Sequence, residues 1–168
     1  YSTYLGGSSN ELLSSLYCTP SNELIAVIST SSTNFPTSAD AFDKTFNGGG
    51  STVAIQSSIE FPNGSDIAVT KFNAAGTGLV GSTYFGGTSN DGLNLHPSTL
   101  FNYGDDTRND IALDNSGNIY IVSTTSSSNI PGTAGKAQPS IGGGSYDGVV
   151  AKFNSGLSSL NWATYYGG

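Results

Sequence analysis

Ser2-Thr3-Tyr4-Leu5-Gly6-Gly7 returns as Ser82-Thr83-Tyr84-Phe85-Gly86-Gly87, and again as Ala163-Thr164-Tyr165-Tyr166-Gly167-Gly168, at offsets of 80 and 81 residues. In a chain of 168 residues, such spacing reads as two copies of one unit, because self-similarity at a fixed period marks repeat architectures. Three further blocks lie between the markers. Leu24–Pro36 matches Ile119–Pro131 at offset 95, Gly48-Gly49-Gly50 matches Gly142-Gly143-Gly144 at 94, and Asp66–Asn73 matches Asp147–Asn154 at 81. The changes of offset put about 13 extra residues in copy one, near 51–63, and about 15 in copy two, near 92–106. Residues 1–87 form repeat one, preceded by a strand that belongs to an earlier unit, and residues 88–168 form repeat two.

Each copy reads as four short strands. Copy two offers Asp110 to Leu113, Ile119 to Thr124, Gly148 to Phe153 and Leu160 to Tyr166; copy one offers Leu16 to Cys18, Leu24 to Ser29, Ile67 to Phe72 and Leu79 to Phe85. These runs are rich in Val, Ile, Tyr and Phe, which suit a pleated, half-buried surface. Asp114-Asn115-Ser116-Gly117-Asn118 is a turn whose Gly117 is free to take a positive φ. No segment carries a 3.6-residue period. Gly, Ser, Thr and Asn make up 82 of the 168 residues, and all four rank low in helix propensity. The expected fold class is all-β, with two four-stranded antiparallel blade-like repeats. These would be β-propeller blades or a fragment of a β-repeat array, since four strands per repeat is the blade of a propeller.

Composition narrows the function. Twelve acidic against five basic residues give a net charge of −7, so no basic footprint for nucleic acid is present. No apolar run approaches the roughly 20 residues of a membrane-spanning helix, so membrane insertion is not expected. The single cysteine, Cys18, has no intrachain partner and, aligned with Leu113, reads as a small buried hydrophobe. The chain begins at Tyr1 without a signal peptide and reads as a mature fragment of a longer protein.

The repeated blocks resemble the bacterial seven-bladed propeller repeat, the SBBP family. Copy two carries that pattern as Ile111-Ala112-Leu113-Asp114, Ser116-Gly117-Asn118, Ile130-Pro131, Gly142 to Gly144, Asp147 to Lys152 and Thr164 to Gly168. Copy one departs at Thr19-Pro20-Ser21-Asn22-Glu23, and Ile130 stands where the family has Phe. The stretch His96 to Arg108 is similar to a variant in large surface proteins of gliding bacteria that are exported by type IX secretion. The resemblance implies an extracellular location at a bacterial cell surface. Two blades do not close a ring of 4–8. Adjacent repeats or further copies of the chain, as a homo-oligomer or filament, are therefore the expected partners, and Tyr1 to Leu5 is expected to pair as the fourth strand of a missing blade.

The chemical candidates are few. Asp105, Asp106 and Asp110 form the densest acidic cluster and are a Ca²⁺ candidate. The plainer reading is an Arg108–Asp pairing that pins a loop, because the spacing is not that of an EF-hand. His96 is the only histidine, and no nucleophile elbow stands beside it. One His and one Cys do not make a zinc site. The triple glycines lack the Gly-Lys-Ser/Thr of a phosphate loop. No catalytic residue and no cofactor is expected. Gly86, Gly87, Asp114, Gly117, Asp147, Lys152, Trp162 and Tyr165 are read as structural, with Trp162, Tyr165 and Tyr84 buried between units. The function so read is a non-enzymatic repeat scaffold of a large adhesin or filament. The alternative is a glycan- or protein-binding module that uses the strand aromatics and the long loops.

Overall fold

A computed structural model describes residues 1–168, the side chain of Tyr103 aside. Ten strands form: β1 (Glu11–Cys18), β2 (Leu24–Thr30), β3 (Thr52–Ala54), β4 (Ile59–Phe61), β5 (Asp66–Phe72), β6 (Leu79–Phe85), β7 (Asp110–Leu113), β8 (Ile119–Thr125), β9 (Asp147–Phe153) and β10 (Leu160–Tyr166). There is no α-helix, and the protein is all-β. The strands build two four-stranded antiparallel meanders, β1-β2-β5-β6 and β7-β8-β9-β10. Their registers correspond residue for residue. Leu24 faces Phe72 as Ile119 faces Phe153, and Val27 faces Val69 as Val122 faces Val150. Each sheet carries a bulge at the same step, after Leu79 on β6 and after Leu160 on β10.

One core joins the sheets. Ile25, Val27, Ile67, Val69 and Phe85 of the first sheet pack on Ile119, Ile121, Val149, Ala151, Phe153 and Tyr165 of the second. Phe85 meets Phe153 edge-on, at 5.4 Å between ring centroids. Strand alternation explains the choice of residues, since successive side chains leave a strand on opposite faces. β8 and β9 accordingly read buried at every second position.

Three sequence expectations change here. Trp162 is half-buried, because Ala163 and Tyr165 take the core side of β10 and leave Trp162 on the opposite face with Tyr120. Cys18 is exposed; it matches the register position of Leu113, but the corresponding face of the first sheet carries no second sheet. Tyr1 to Leu5 is not a strand and pairs with neither sheet, whose fourth places are taken by β6 and β10. The insertion near 51–63 is also more ordered than a loop: it folds as the β3–β4 hairpin, turned by Ser58 at φ 57°.

The turns keep their geometry with different residues. Gly117 takes φ 75°, and Asn22, 95 positions earlier, takes φ 62°. Asn tolerates the left-handed region better than most residues. Thr19-Pro20-Ser21-Asn22-Glu23 therefore makes the same reversal as the Asp-x-Ser-Gly-Asn turn.

Candidate functional site

The polar groups of this protein gather at the start of each repeat. In copy two, the Asp91 carboxylate accepts from the Gly87 N–H (2.7 Å), from Ser127 Oγ (2.8 Å) and from Thr125 Oγ1. In copy one, Glu11 accepts from Thr30 Oγ1 (2.9 Å), Ser32 Oγ and the Gly7 N–H. Asn34 and Asn129 cap the same segments, accepting from the Ser8 and Thr88 N–H groups at 2.8 and 3.0 Å. The Tyr84 hydroxyl donates to the Ser32 carbonyl (2.6 Å) and accepts from the Phe35 N–H (2.8 Å). Tyr165 repeats this with Ser127 (2.8 Å) and Ile130 (3.0 Å). The network needs a carboxylate four residues after the second glycine and a Thr-x-Ser at the end of the second strand. Both were visible at the repeat offset, as Gly6-Gly7-Ser8-Ser9-Asn10-Glu11 and Gly86-Gly87-Thr88-Ser89-Asn90-Asp91. Sequence reasoning passed over them.

Gly86 and Gly87 are glycines for a steric reason. A Cβ on Gly86 would meet Asp66 Oδ1 and would lie 2.7 Å from Asp91 Oδ2, and one on Gly87 would lie 2.5 Å from the Ser127 Cβ. Asp66 and Asp147 open the third strand of each copy, and each accepts from its triple-glycine loop, Asp66 from the Asn47 N–H (2.6 Å) and Asp147 from the Gly142 N–H. Burial pushes the Asp66 carboxyl up to about 8, with the nearby Asp91 charge adding to the rise. Burial also pushes Asp91 up to about 6, against hydrogen bonds that favour its anion.

Lys152 bridges Asp114 at 3.0 Å and lies 4.9 Å from the centre of the Tyr120 ring. Hydrogen bonds from Asn118 and Lys152 hold the Asp114 carboxyl well below the usual range. Lys71 and Glu23 make the matching pair in copy one, at 2.8 Å. Both pairs tie the first turn to the third strand.

The acidic cluster of copy two divides its labour. Asp105 accepts from the Phe101 and Asn102 N–H groups and pairs with Arg108 at 2.8 Å. Asp106 is buried and accepts from the Gln56 and Ser57 N–H groups at 2.9 and 2.7 Å, clasping the β3–β4 hairpin. Asp110 accepts from Ser15 Oγ at 2.9 Å. The two insertions thus lock together over a small core of Ala54, Phe61 and Leu93. Among the described residues, no group of three His, Cys, Asp or Glu side chains is placed to hold a metal ion.

Comparison of the chain with protein-family models finds no match, and no curated protein resembles it significantly.

His96 lies at a cleft of about 640 Å³ with Tyr146 and Asp147. Its Nδ1 is 2.7 Å from Ser98 Oγ, two residues along the same exposed turn. A triad would place the serine on Nε2 and a carboxylate on Nδ1. Asp147, the acid at this cleft, is engaged by Gly142 and Gln138.

Proposed function

We propose that the chain is a non-enzymatic structural repeat module of an extracellular adhesin or filament, a rigid scaffold with multivalent contacts. The observation that carries this reading is the shared core between two sheets of identical register, knitted at each repeat start by the same carboxylate, Thr-x-Ser and tyrosine hydroxyl. The carboxylates of Asp105, Asp106 and Asp147 are engaged by backbone N–H groups. A surface of Ser, Thr and Asn with few charges suits an exposed array. The likeness of the motifs to the bacterial propeller repeat supports a cell-surface location and neighbouring repeats or further copies as partners.

A second reading, a glycan- or protein-binding module, draws on one feature. Trp162 and Tyr120 stack edge-on at 6.0 Å on a half-open face, with Lys152 beside them. Aromatic faces of this kind take sugars or partner side chains. Two measurements separate the readings. Single-molecule pulling on the chain should give one high-force unfolding event. A glycan array, read by Trp162 fluorescence, should stay blank. Micromolar glycan binding that Trp162→Ala abolishes would replace the scaffold reading with the second.

A further inference from the structure

The two sheets are equivalent, yet their corresponding faces have different fates. Ile25, Val27 and Val69 are fully buried against the second sheet, while their counterparts Tyr120, Val122 and Val150 lie open or half-open, Val122 at 43% exposure. Phe85 is fully buried, and its counterpart Tyr166 is 79% exposed. The second sheet therefore presents, uncovered, the face by which the first sheet is covered. At the other end, the first sheet's face that in the second sheet is core is only partly covered: Ala26 and Ile28 are buried with Leu5 packed against them, while Leu16 and Leu13 are 54% and 55% exposed and line a groove there with Thr3 and Leu5.

Side-chain size says what fits. Gly81 of β6 abuts the turn of the following repeat, where a Cβ would collide with the Gly156 carbonyl and lie 3.3 Å from the Leu157 Cβ. Leu157 fills this seat at φ 59° and is fully buried. Eighty-one residues away the sizes are reversed. Trp162 stands in the place of Gly81, and Gly76, at φ 68°, stands in the place of Leu157. Tyr1, 80 residues before Gly81, already sits on Gly76, where a Cβ would collide with its ring. Large on small recurs at both contacts: Leu157 on Gly81 and Tyr1 on Gly76. Trp162 requires a glycine turn, and Gly76 of a second copy supplies one.

We propose that the open face of the second sheet docks the first sheet of a second copy head to tail, with Trp162 seated on the partner's Gly76 in place of its Tyr1. The proposal rests on the repeat-module reading and names its partner. Because the two surfaces differ, the contact is heterologous and propagates into a ring or an open filament. Tyr1 to Leu5, exposed except for Leu5, is the placeholder that the incoming β10 displaces.

Sedimentation equilibrium on the full chain, from about 10 μM to about 1 mM, tests this. The wild type should associate with rising concentration, and Tyr1→Gly should associate more tightly. Val122→Lys, at an exposed position, should weaken association at least about tenfold without changing thermal stability. Trp162→Gly and Gly76→Leu should each weaken it, and the double variant, which recreates the Gly81–Leu157 pairing, should recover most of the loss. Leu157 shows that leucine is held at this backbone geometry. A chain that stays monomeric throughout, Tyr1→Gly included, overturns the proposal, as does association that Val122→Lys leaves unchanged. A monomer that still unfolds at high force would remove the docking and leave the scaffold standing. Glycan binding that Trp162→Ala abolishes would remove the scaffold reading and, with it, the docking that rests on it.

Discussion

Asp66 and Asp91, one from each repeat, aim carboxylate oxygens at the same glycine, Gly86. Both residues are fully buried, and among the described residues no cation pairs with either. Asp91 is satisfied by Gly87, Thr125 and Ser127, whereas Asp66 Oδ1 has no partner among the described residues. Two buried charges at one junction are costly, and a buried carboxyl relieves the cost by keeping its proton. The junction between repeats is thus held by a neutral Asp66 beside an Asp91 anchored to hydroxyls.

This sets the pH dependence of stability. The folded value for Asp66, about 8, lies above the roughly 3.9 of an unfolded aspartate, so the folded state binds the extra proton between those limits. Stability should be fullest near pH 4 and fall as pH rises toward 8, by up to several kcal/mol at about 1.4 kcal/mol per unit. Asp91 adds a smaller fall that ends near pH 6. Asp66→Asn copies the protonated acid and should flatten the decline, raising stability at pH 8 above wild type. Urea titrations from pH 4 to pH 9 report it; a wild-type stability that rises across this range would show Asp66 to be ionised in the folded state.

Tyr84→Phe and Tyr165→Phe should each cost about 1–3 kcal/mol. Each hydroxyl makes two buried backbone bonds, and its loss strands a carbonyl and an N–H. Equal losses from the two variants, in denaturant unfolding, would show that the two networks are energetically as well as geometrically alike.

Phe153→Ala should cost about 3–5 kcal/mol, because the ring is fully buried between the sheets. Trp162→Ala, on the outer face, should cost no more than about 2 kcal/mol in the monomer, since a half-buried ring leaves water only in part. A larger loss for Trp162 than for Phe153 would place the core on the wrong face.

The sheets were legible because repetition and period two are written in the residues themselves. The matched blocks located β2, β5, β6, β8, β9 and β10 within a residue or two of their ends. The face taken by Trp162 was not legible from its repeat block alone, since Ala163 and Tyr165 decide it by claiming the core side of β10. Cys18 misled for a related reason: its alignment with Leu113 is right, but burial depends on which sheet is covered. The β3–β4 hairpin and the Asp106 clasp belong to insertions that occur once each, so no second copy existed to reveal their pattern. The Glu11 and Asp91 networks were present at a constant offset and were overlooked because carboxylates in turns read as solvated.

Differential scanning calorimetry of the full chain asks whether the two repeats are one body. One apolar face of each sheet is buried against the other in the larger core, and the first sheet's other face carries only a smaller cluster of Ala26, Ile28, Ala68 and Tyr84 with Phe35. The expected result is a single transition whose calorimetric and van't Hoff enthalpies agree, and which Phe153→Ala shifts as a whole. Two resolved transitions, only one of them moved by Phe153→Ala, would contradict the shared core and with it the scaffold built upon it.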